Sequence, residues 1–239
     1  MDYQLHPFGD NGIMIELGTA ISPDIQKRVR AIASFLDQYP FVWMIEYIPA
    51  FTSVTVLYDI GHHELVKNGR FPHEQACEEL REAIEGLSLE EGQLPRLIEI
   101  PVCYGGELGP DLEFVARHNG LSVEEVVRVH KMGIYNVHMI GFAPGFPYMG
   151  GMSEKIAAPR KESPRLTIPA GSVGIAGKQT GIYSIETPGG WQIIGRSPIQ
   201  LFRPFNNPPS LLQAGDLVSF KEITYQEYID WEDRDDKNH

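Results

Sequence analysis

Pro169-Ala170-Gly171-Ser172-Val173-Gly174-Ile175-Ala176-Gly177-Lys178-Gln179-Thr180-Gly181-Ile182-Tyr183 decides how the larger part of this chain folds. Its apolar runs are four residues or shorter and are cut by glycine, which reads as short strands joined by tight turns. The pattern extends outward. Residues 141–195 hold eleven Gly and six Pro, a density at which a helix of ordinary length cannot persist. Between these breaks lie Leu166–Ile168, Val173–Ala176, Ile182–Ile185, Trp191–Ile194 and Ile199–Phe202. Leu217–Ile223 follows the turn Ala214-Gly215-Asp216, and Arg96–Cys103 is a further strand ahead of the run. Many short strands at such spacing predict a β-barrel or sandwich. Two helices precede the glycine-rich part. Gly109-Pro110-Asp111 caps one that runs through His118 and stops at Asn119-Gly120. Ser122 with Glu125 forms a capping box for the second, which carries Val126, Val127 and Val129 and stops at Gly133.

Residues 1–90 have a different grain. Tyr3–Phe8 and Gly12–Leu17 flank the turn Gly9-Asp10-Asn11 and predict a hairpin. Ser22-Pro23-Asp24 opens a helix with Ile25, Val29, Ile32 and Leu36 on one face. Trp43–Ile48 and Ser53–Asp59 are two more strands, and Pro72–Glu85 is a second helix burying Ala76, Leu80, Ala83 and Ile84. The order β-β-α-β-β-α predicts a small α+β layer. Gly86–Pro95 has a linker's composition, so the chain divides into a 1–90 domain, a mostly-β 96–229 domain and a charged, frayed tail over 230–239.

The chain has 239 residues and a net charge of −12. Residues 1–95 carry 6 basic against 15 acidic side chains, whereas residues 96–229 carry 12 of each. Neither part offers the basic face that nucleic acid requires. No apolar run reaches membrane-spanning length, and no leader pattern opens the chain. Two cysteines, Cys77 and Cys103, without a C-x-x-C motif argue against a disulfide framework and against a structural zinc site. The expectation is a cytoplasmic protein with no metal site, no nucleic-acid partner and no membrane partner.

Several familiar signatures fail on inspection. Ser172–Gln179 resembles a P-loop, but Ser172 replaces its first glycine and Gln179 replaces the Mg²⁺-binding hydroxyl. Ala170–Gly174 resembles a nucleophile elbow without its first glycine or a following helix. The informative stretch is Gly141-Phe142-Ala143-Pro144-Gly145-Phe146-Pro147-Tyr148, leading to Gly150-Gly151. Glycine and proline make it a rigid loop, neither strand nor helix, that displays Phe142, Phe146 and Tyr148. It serves either as a plug beneath the barrel or as the apolar wall of a binding pocket. Arg160 and Arg165, held among Pro159, Lys161 and Pro164, suit a carboxylate or phosphate, or a solvated turn. Trp191 follows Thr187-Pro188-Gly189-Gly190, and Arg196 in Gly195-Arg196-Ser197-Pro198 is the residue there most able to bind an anion. His130 and His138 are the histidines placed to carry a proton, or to fill a hydrogen-bonded structural role.

The set Gly141-Phe142-x-Pro144-Gly145-Phe146-x-Tyr148, Pro159-Arg160, Pro164-Arg165, Pro169–Gly177, Gln179-Thr180-Gly181-x-Tyr183, Pro188–Trp191 and Gly195-Arg196 resembles the B-subunit family of 5-oxoprolinases, also called PxpB or KipI. That family includes a histidine kinase inhibitor and is related to allophanate hydrolase subunit 1. The resemblance implies a cyclophilin-like barrel for the second domain. It also implies a heteromeric complex with the A and C subunits of 5-oxoprolinase, which together carry out ATP-dependent hydrolysis of 5-oxo-L-proline to L-glutamate. ATP would be bound by the complex, and the chain would be inactive alone. The alternative it implies is inhibition of a sensor histidine kinase. On this view Phe142, Pro144, Gly145, Phe146, Tyr148, Arg160, Arg165, Ser172, Gln179, Trp191 and Arg196 bind substrate or partner, and His130 transfers a proton.

Overall fold

The computed structural model describes residues 2–66, 69–87 and 95–235. Two compact units divide at Leu94 and Pro95. Most of the expected linker, residues 88–94, lies outside the described residues.

In the first unit, strands β1 (Gln4–Phe8), β2 (Gly12–Glu16), β3 (Met44–Pro49) and β4 (Ser53–Tyr58) form an antiparallel sheet in the order β1-β2-β4-β3. Period-2 alternation sends Ile13 and Ile15 of β2, and Val54, Val56 and Tyr58 of β4, into the core. Helix α1 (Pro23–Gln38) starts where Ser22 Oγ accepts the Ile25 N–H at 3.2 Å, with Pro23 at its first position. Its Val29, Ile32 and Leu36 share that core, each worth about 1.5–3 kcal/mol of burial. Helix α2 (Pro72–Glu85) buries Ala76, Cys77, Leu80 and Ile84. Cys77 is buried rather than the expected Ala83; the two flank the 76–80–84 stripe on opposite sides, and the sheet covers the Cys77 side more fully.

The second unit is a closed seven-stranded barrel. Its strands are β5 (Leu97–Tyr104), β6 (Ile134–Ile140), β7 (Pro147–Gly150), β9 (Ser172–Ala176), β10 (Gln179–Ile182), β12 (Gln192–Arg196) and β13 (Leu217–Glu222), in the order β10-β7-β6-β13-β5-β12-β9. β13 runs parallel to β5, and the other pairings are antiparallel. Strands β8 (Arg165–Ile168) and β11 (Thr187–Gly189) form a separate two-stranded ribbon. Helix α3 (Leu112–Asn119) ends on left-handed Gly120, and α4 (Val123–Lys131) opens on a complete Ser122–Glu125 capping box.

Ile100, Val102, Tyr135, Val137, Val173, Ile175, Ile182, Ile194, Val218 and Phe220 fill the interior. Strand β9 is buried along its whole length. Val173 and Ile175 face inward, while Gly174 and Ala176 face a second apolar layer outside. This outer layer positions the site described below.

Three sequence expectations need correction. Residues 147–150 are a barrel strand, because β6 offers a pairing edge from Asn136 to Ile140. Residues 199–202 are not a strand. Pro198 and Pro204 bracket them, and their pairing reduces to one bridge, Phe202 with Ser210. Residues 230–235, expected to fray, complete helix α5 (Tyr225–Asp235).

Candidate functional site

The loop between β6 and β7 is held by three backbone hydrogen bonds. The Gly141 N–H donates to the Phe146 carbonyl at 3.1 Å, and the Phe146 N–H donates to the Ala143 carbonyl at 3.0 Å. This second bond closes a turn with Pro144 and then Gly145, at φ 75°, in the middle, the order that a type II turn favours. The third bond, Ala143 N–H to the Gly141 carbonyl at 2.8 Å, makes a three-residue turn centred on Phe142 at φ 68°. Among the described residues Phe142 is the one non-glycine position with positive φ. That conformation costs a side-chain-bearing residue on the order of 1–2 kcal/mol. The Ser184 hydroxyl donates to the Pro144 carbonyl at 2.5 Å and ties the loop to the end of β10.

The loop does not display three rings together. Phe142 is 62% exposed, Phe146 is 2% exposed, and Tyr148 is half-buried on β7. Phe146 instead centres the outer apolar layer. Its ring meets Phe142 at 5.3 Å, Tyr148 at 5.0 Å, Tyr183 at 5.4 Å and Trp191 at 5.6 Å, each edge to face. Such pairs contribute about 0.5–1.5 kcal/mol each beyond area burial. Gly181 makes room for them, since a Cβ there would lie 3.0 Å from Trp191 Cζ3 and 3.1 Å from Phe146 Cζ. The rings therefore separate: Phe146 is sealed in the layer outside the barrel wall and Phe142 protrudes.

The arginines also separate. Arg165 is committed to Asp111, with its two terminal nitrogens each 2.8 Å from a carboxylate oxygen. Lys161 reaches the same carboxylate at 3.4 Å, and the Ile193 N–H donates to it at 2.7 Å. Burial alone would raise the Asp111 carboxyl, but the Arg165 and Ile193 hydrogen bonds and the two cations outweigh it and hold it below the usual carboxylate range. Asp111, expected only as a helix cap, makes no side-chain cap bond. Its role was hidden because its partners lie 50 and 54 residues away. Arg160 is exposed, with its guanidinium carbon 6.0 Å from the Trp191 ring centroid, a cation–π arrangement. Arg196 is partly buried on β12, and its Nε is buried without a hydrogen-bond partner. Its cross-strand neighbour on β9 is Ser172, whose fully buried Oγ is likewise unpartnered.

Gln179 opens β10 opposite Ala176, across the two-residue turn Gly177-Lys178. It stands apart from the arginines in sequence register, and Lys178 beside it pairs with Glu154 at 2.6 Å. The setting of Ser172–Gln179 is strand, tight turn and the start of a strand, with its lysine already paired. It is not a P-loop, whose phosphate-binding turn opens onto a helix N-terminus.

His130 lies in the barrel core rather than beside the aromatic loop, which is not the setting a proton carrier needs. It is fully buried, its Nδ1 is 2.8 Å from the Tyr104 hydroxyl, and its Nε2 is 3.0 Å from Thr180 Oγ1. Burial pushes its pKa down to about 3, so the ring is neutral at physiological pH. His138 is buried between β6 and β7, against the backbone of Gly150. Tyr183, missed in the sequence, keeps a protonated phenol, because burial raises it more than the Trp191 backbone and the nearby arginines lower it.

Two open hollows of about 440 and 450 Å³ share Tyr104, Gly105 and Gly106, and neither is lined by the 141–151 loop. Among the described residues, no group of three or more His, Cys, Asp and Glu is placed to hold a metal ion, and no helix is long and apolar enough to cross a membrane.

Comparison with known proteins places the chain. Residues 3–212 match the family described as carboxyltransferase domain, subdomain C and D. The protein named as the B subunit of 5-oxoprolinase from Bacillus subtilis (strain 168) is 51% identical over 228 residues, covering 95% of each chain. The chain belongs to the 5-oxoprolinase B-subunit family. A second relative of the same name, from Escherichia coli O157:H7, is 42% identical over 212 residues, covering 89% of this chain and 92% of its own. The crystal structure of TTHA0988 superposes with a TM-score of 0.76 at 34% identity over 89% of this chain. This chain spans 40% of that longer one. In this member of the 5-oxoprolinase B-subunit family, the barrel carries an outer aromatic layer, the protruding Phe142 ring beside it, and a partly buried Arg196 whose Nε has no hydrogen-bond partner among the described residues.

Proposed function

We propose that the chain is the B subunit of a multi-subunit, ATP-dependent 5-oxoprolinase that converts 5-oxo-L-proline to L-glutamate, and that it works only together with the A and C subunits. The observation that carries this reading is the match to proteins named as 5-oxoprolinase B subunits along nearly the whole of both chains. The site chemistry is compatible with it. Opening the lactam adds water to the ring carbonyl, breaks the C–N bond and leaves a carboxylate and an amine. Coupling to ATP in the complex supplies the activation of that carbonyl. No step is assigned to a nucleotide on this chain, because Ser172–Gln179 does not form a phosphate cradle.

On this reading the chain supplies one wall of a composite site. Pro144, Gly145 and Phe146 fix the loop. Phe142, Tyr148 and Trp191 give it an apolar face, and Arg160 and Arg196 offer positive charge. Arg165 acts through Asp111 as a brace, Gln179 closes a hairpin, and His130 holds the interior of a cyclophilin-like barrel. The test is reconstitution: the purified chain is mixed with the A and C subunits, and ATP-dependent glutamate formation is measured. Full activity when this chain is omitted refutes the reading.

A second reading, inhibition of a sensor histidine kinase, draws on the exposed Phe142 ring held at positive φ, a preset anchor for a protein partner. Unchanged kinase autophosphorylation at micromolar concentrations of the chain removes it.

A further inference from the structure

Arg196 is a partly buried cation that the fold leaves without a counter-charge among the described residues. Arg165 and Lys161 share Asp111, Lys178 pairs with Glu154, and Arg96 pairs with Asp216. Arg196 pairs with no carboxylate among the described residues, although it is partly buried and its Nε is sealed from water. A half-desolvated guanidinium without a counter-charge is costly unless something else satisfies it.

Its surroundings are built rather than incidental. Ser172 is the direct cross-strand neighbour of Arg196, and its hydroxyl is fully buried without a partner. Ser172 alternates with the inward-facing Val173, so its side chain lies on the outer face of β9, the face that carries Gly174 and the aromatic layer. Gly171, at φ 79°, lets the backbone approach there. A Cβ on it would lie 2.2 Å from the Ser197 carbonyl oxygen and 3.3 Å from Arg196 Cγ. The Arg196 stem is therefore pinned where it leaves β12. On its other side Ser172 is bonded through its carbonyl to the Tyr183 N–H at 2.9 Å, and the Tyr183 ring lies 6.4 Å from that of Phe142. The pair thus stands next to the aromatic loop on the same outer surface.

We propose that Arg196 and Ser172 form an oxyanion subsite that receives the carboxylate of the lactam substrate. This inference rests on the 5-oxoprolinase reading and deepens it. A guanidinium and a hydroxyl at directly opposed positions of adjacent strands offer several donors, as carboxylate recognition requires. Bound substrate would give both buried donors the acceptor that the chain itself does not provide.

The experiment uses the complex reconstituted with the A and C subunits. kcat/KM is measured for 5-oxo-L-proline and for its neutral carboxamide, 5-oxoprolinamide, with wild type, Arg196→Met, Arg196→Lys and Ser172→Ala. The wild type prefers the carboxylate. Arg196→Met lowers that preference at least about tenfold, the worth of a hydrogen bond to a charged group. Arg196→Lys restores part of it, and Ser172→Ala lowers it by a smaller factor. A merely structural role would depress both substrates alike and leave the ratio intact, and that result overturns the subsite. Inorganic phosphate is the second arm. If phosphate competes with 5-oxoproline in wild type but not in Arg196→Met, while the carboxylate preference persists in the variant, the pair binds a phosphoryl group and the carboxylate assignment is overturned. A wild-type complex that forms no glutamate from 5-oxoproline refutes the parent reading instead, which keeps the two failures apart.

Discussion

His130 should make the barrel acid-sensitive, by an amount that its surroundings fix. Thr180 Oγ1 donates its one hydrogen to the Gly174 carbonyl at 3.0 Å, so it must accept from His130 Nε2–H at 3.0 Å. Nδ1 is then left as the acceptor for the Tyr104 hydroxyl at 2.8 Å. The neutral ring has every hydrogen-bonding site used, whereas a protonated ring would aim a second N–H at Tyr104 inside an apolar core. Burial accordingly lowers the pKa from 6.5 to about 3. A base depressed on folding binds its proton more readily in the unfolded chain. Its contribution is complete above about pH 6.5 and is lost as pH falls from there toward about 3. The slope is about 1.4 kcal/mol per pH unit, so the loss between pH 7 and pH 5 is about 2 kcal/mol, and about 5 kcal/mol in full. The assay is urea unfolding of the full chain at pH 7, 6 and 5, with hydrogen exchange at β6, β9 and β10 amides reporting the barrel. His130→Gln is the comparison, because a side-chain amide can donate to Thr180 and accept from Tyr104 without titrating. The variant loses ring packing against Phe220, 4.4 Å away, and is less stable overall, but its pH slope should be shallower by about 1.4 kcal/mol per unit below pH 6.5. Equal slopes in the two proteins refute the argument.

Three further outcomes follow from the site. Asp111→Ala strands Arg165 and the buried Ile193 N–H together, so the thermal midpoint should fall by the equivalent of about 3–5 kcal/mol, and Asp111→Asn should fall less. Gly181→Ala drives a methyl toward Trp191, Phe146 and the Pro147 carbonyl, which should cost about 1–3 kcal/mol in chemical denaturation and shift the tryptophan emission. Phe142→Gly relieves a strained φ while losing the edge contacts with Phe146 and Tyr183, so stability measured by thermal unfolding should stay within about 1 kcal/mol of wild type, whereas activity of the reconstituted complex should drop. A large loss of stability in that variant would show Phe142 to be core rather than anchor.

The elements with local signals were legible in the sequence. Ser22-Pro23 and the Ser122–Glu125 box mark helix starts to the residue, because caps act within three residues of chain. The alternation of Val173 and Ile175 with glycines marked a short strand between turns. What stayed hidden was set by distance and by sidedness. Nothing near Asp111 announces Arg165, 54 residues on, or the Ile193 N–H, 82 residues on. The loop at 141–146 was recognisable from Pro144-Gly145, but which ring points inward depends on the neighbouring barrel strands. Phe146 enters because Gly181 leaves space, and Phe142 stays out because its turn has positive φ. His130 looked like a proton carrier because histidine titrates near neutral pH, and only its full burial at the inner face of α4 removes that chemistry.

The glycines of β9 and β10 do more than end helices. A barrel strand normally has one buried face, and its outer face meets water or a helix. Here small residues at Gly174 and Gly181 let a second layer of rings settle directly onto the barrel wall, and Phe146 in that layer carries the loop. The loop's position is thereby referred to the barrel itself and not to its own short span. The Phe142 ring meets Tyr183, the Tyr183 N–H donates to the Ser172 carbonyl, and Ser172 lies directly opposite Arg196, so the protruding ring and the unpaired arginine are both referred to β9. Given that coupling, loosening the layer at Phe146 with Phe146→Leu should weaken partner engagement and carboxylate preference together, whereas Phe142→Gly should weaken the first and spare the second.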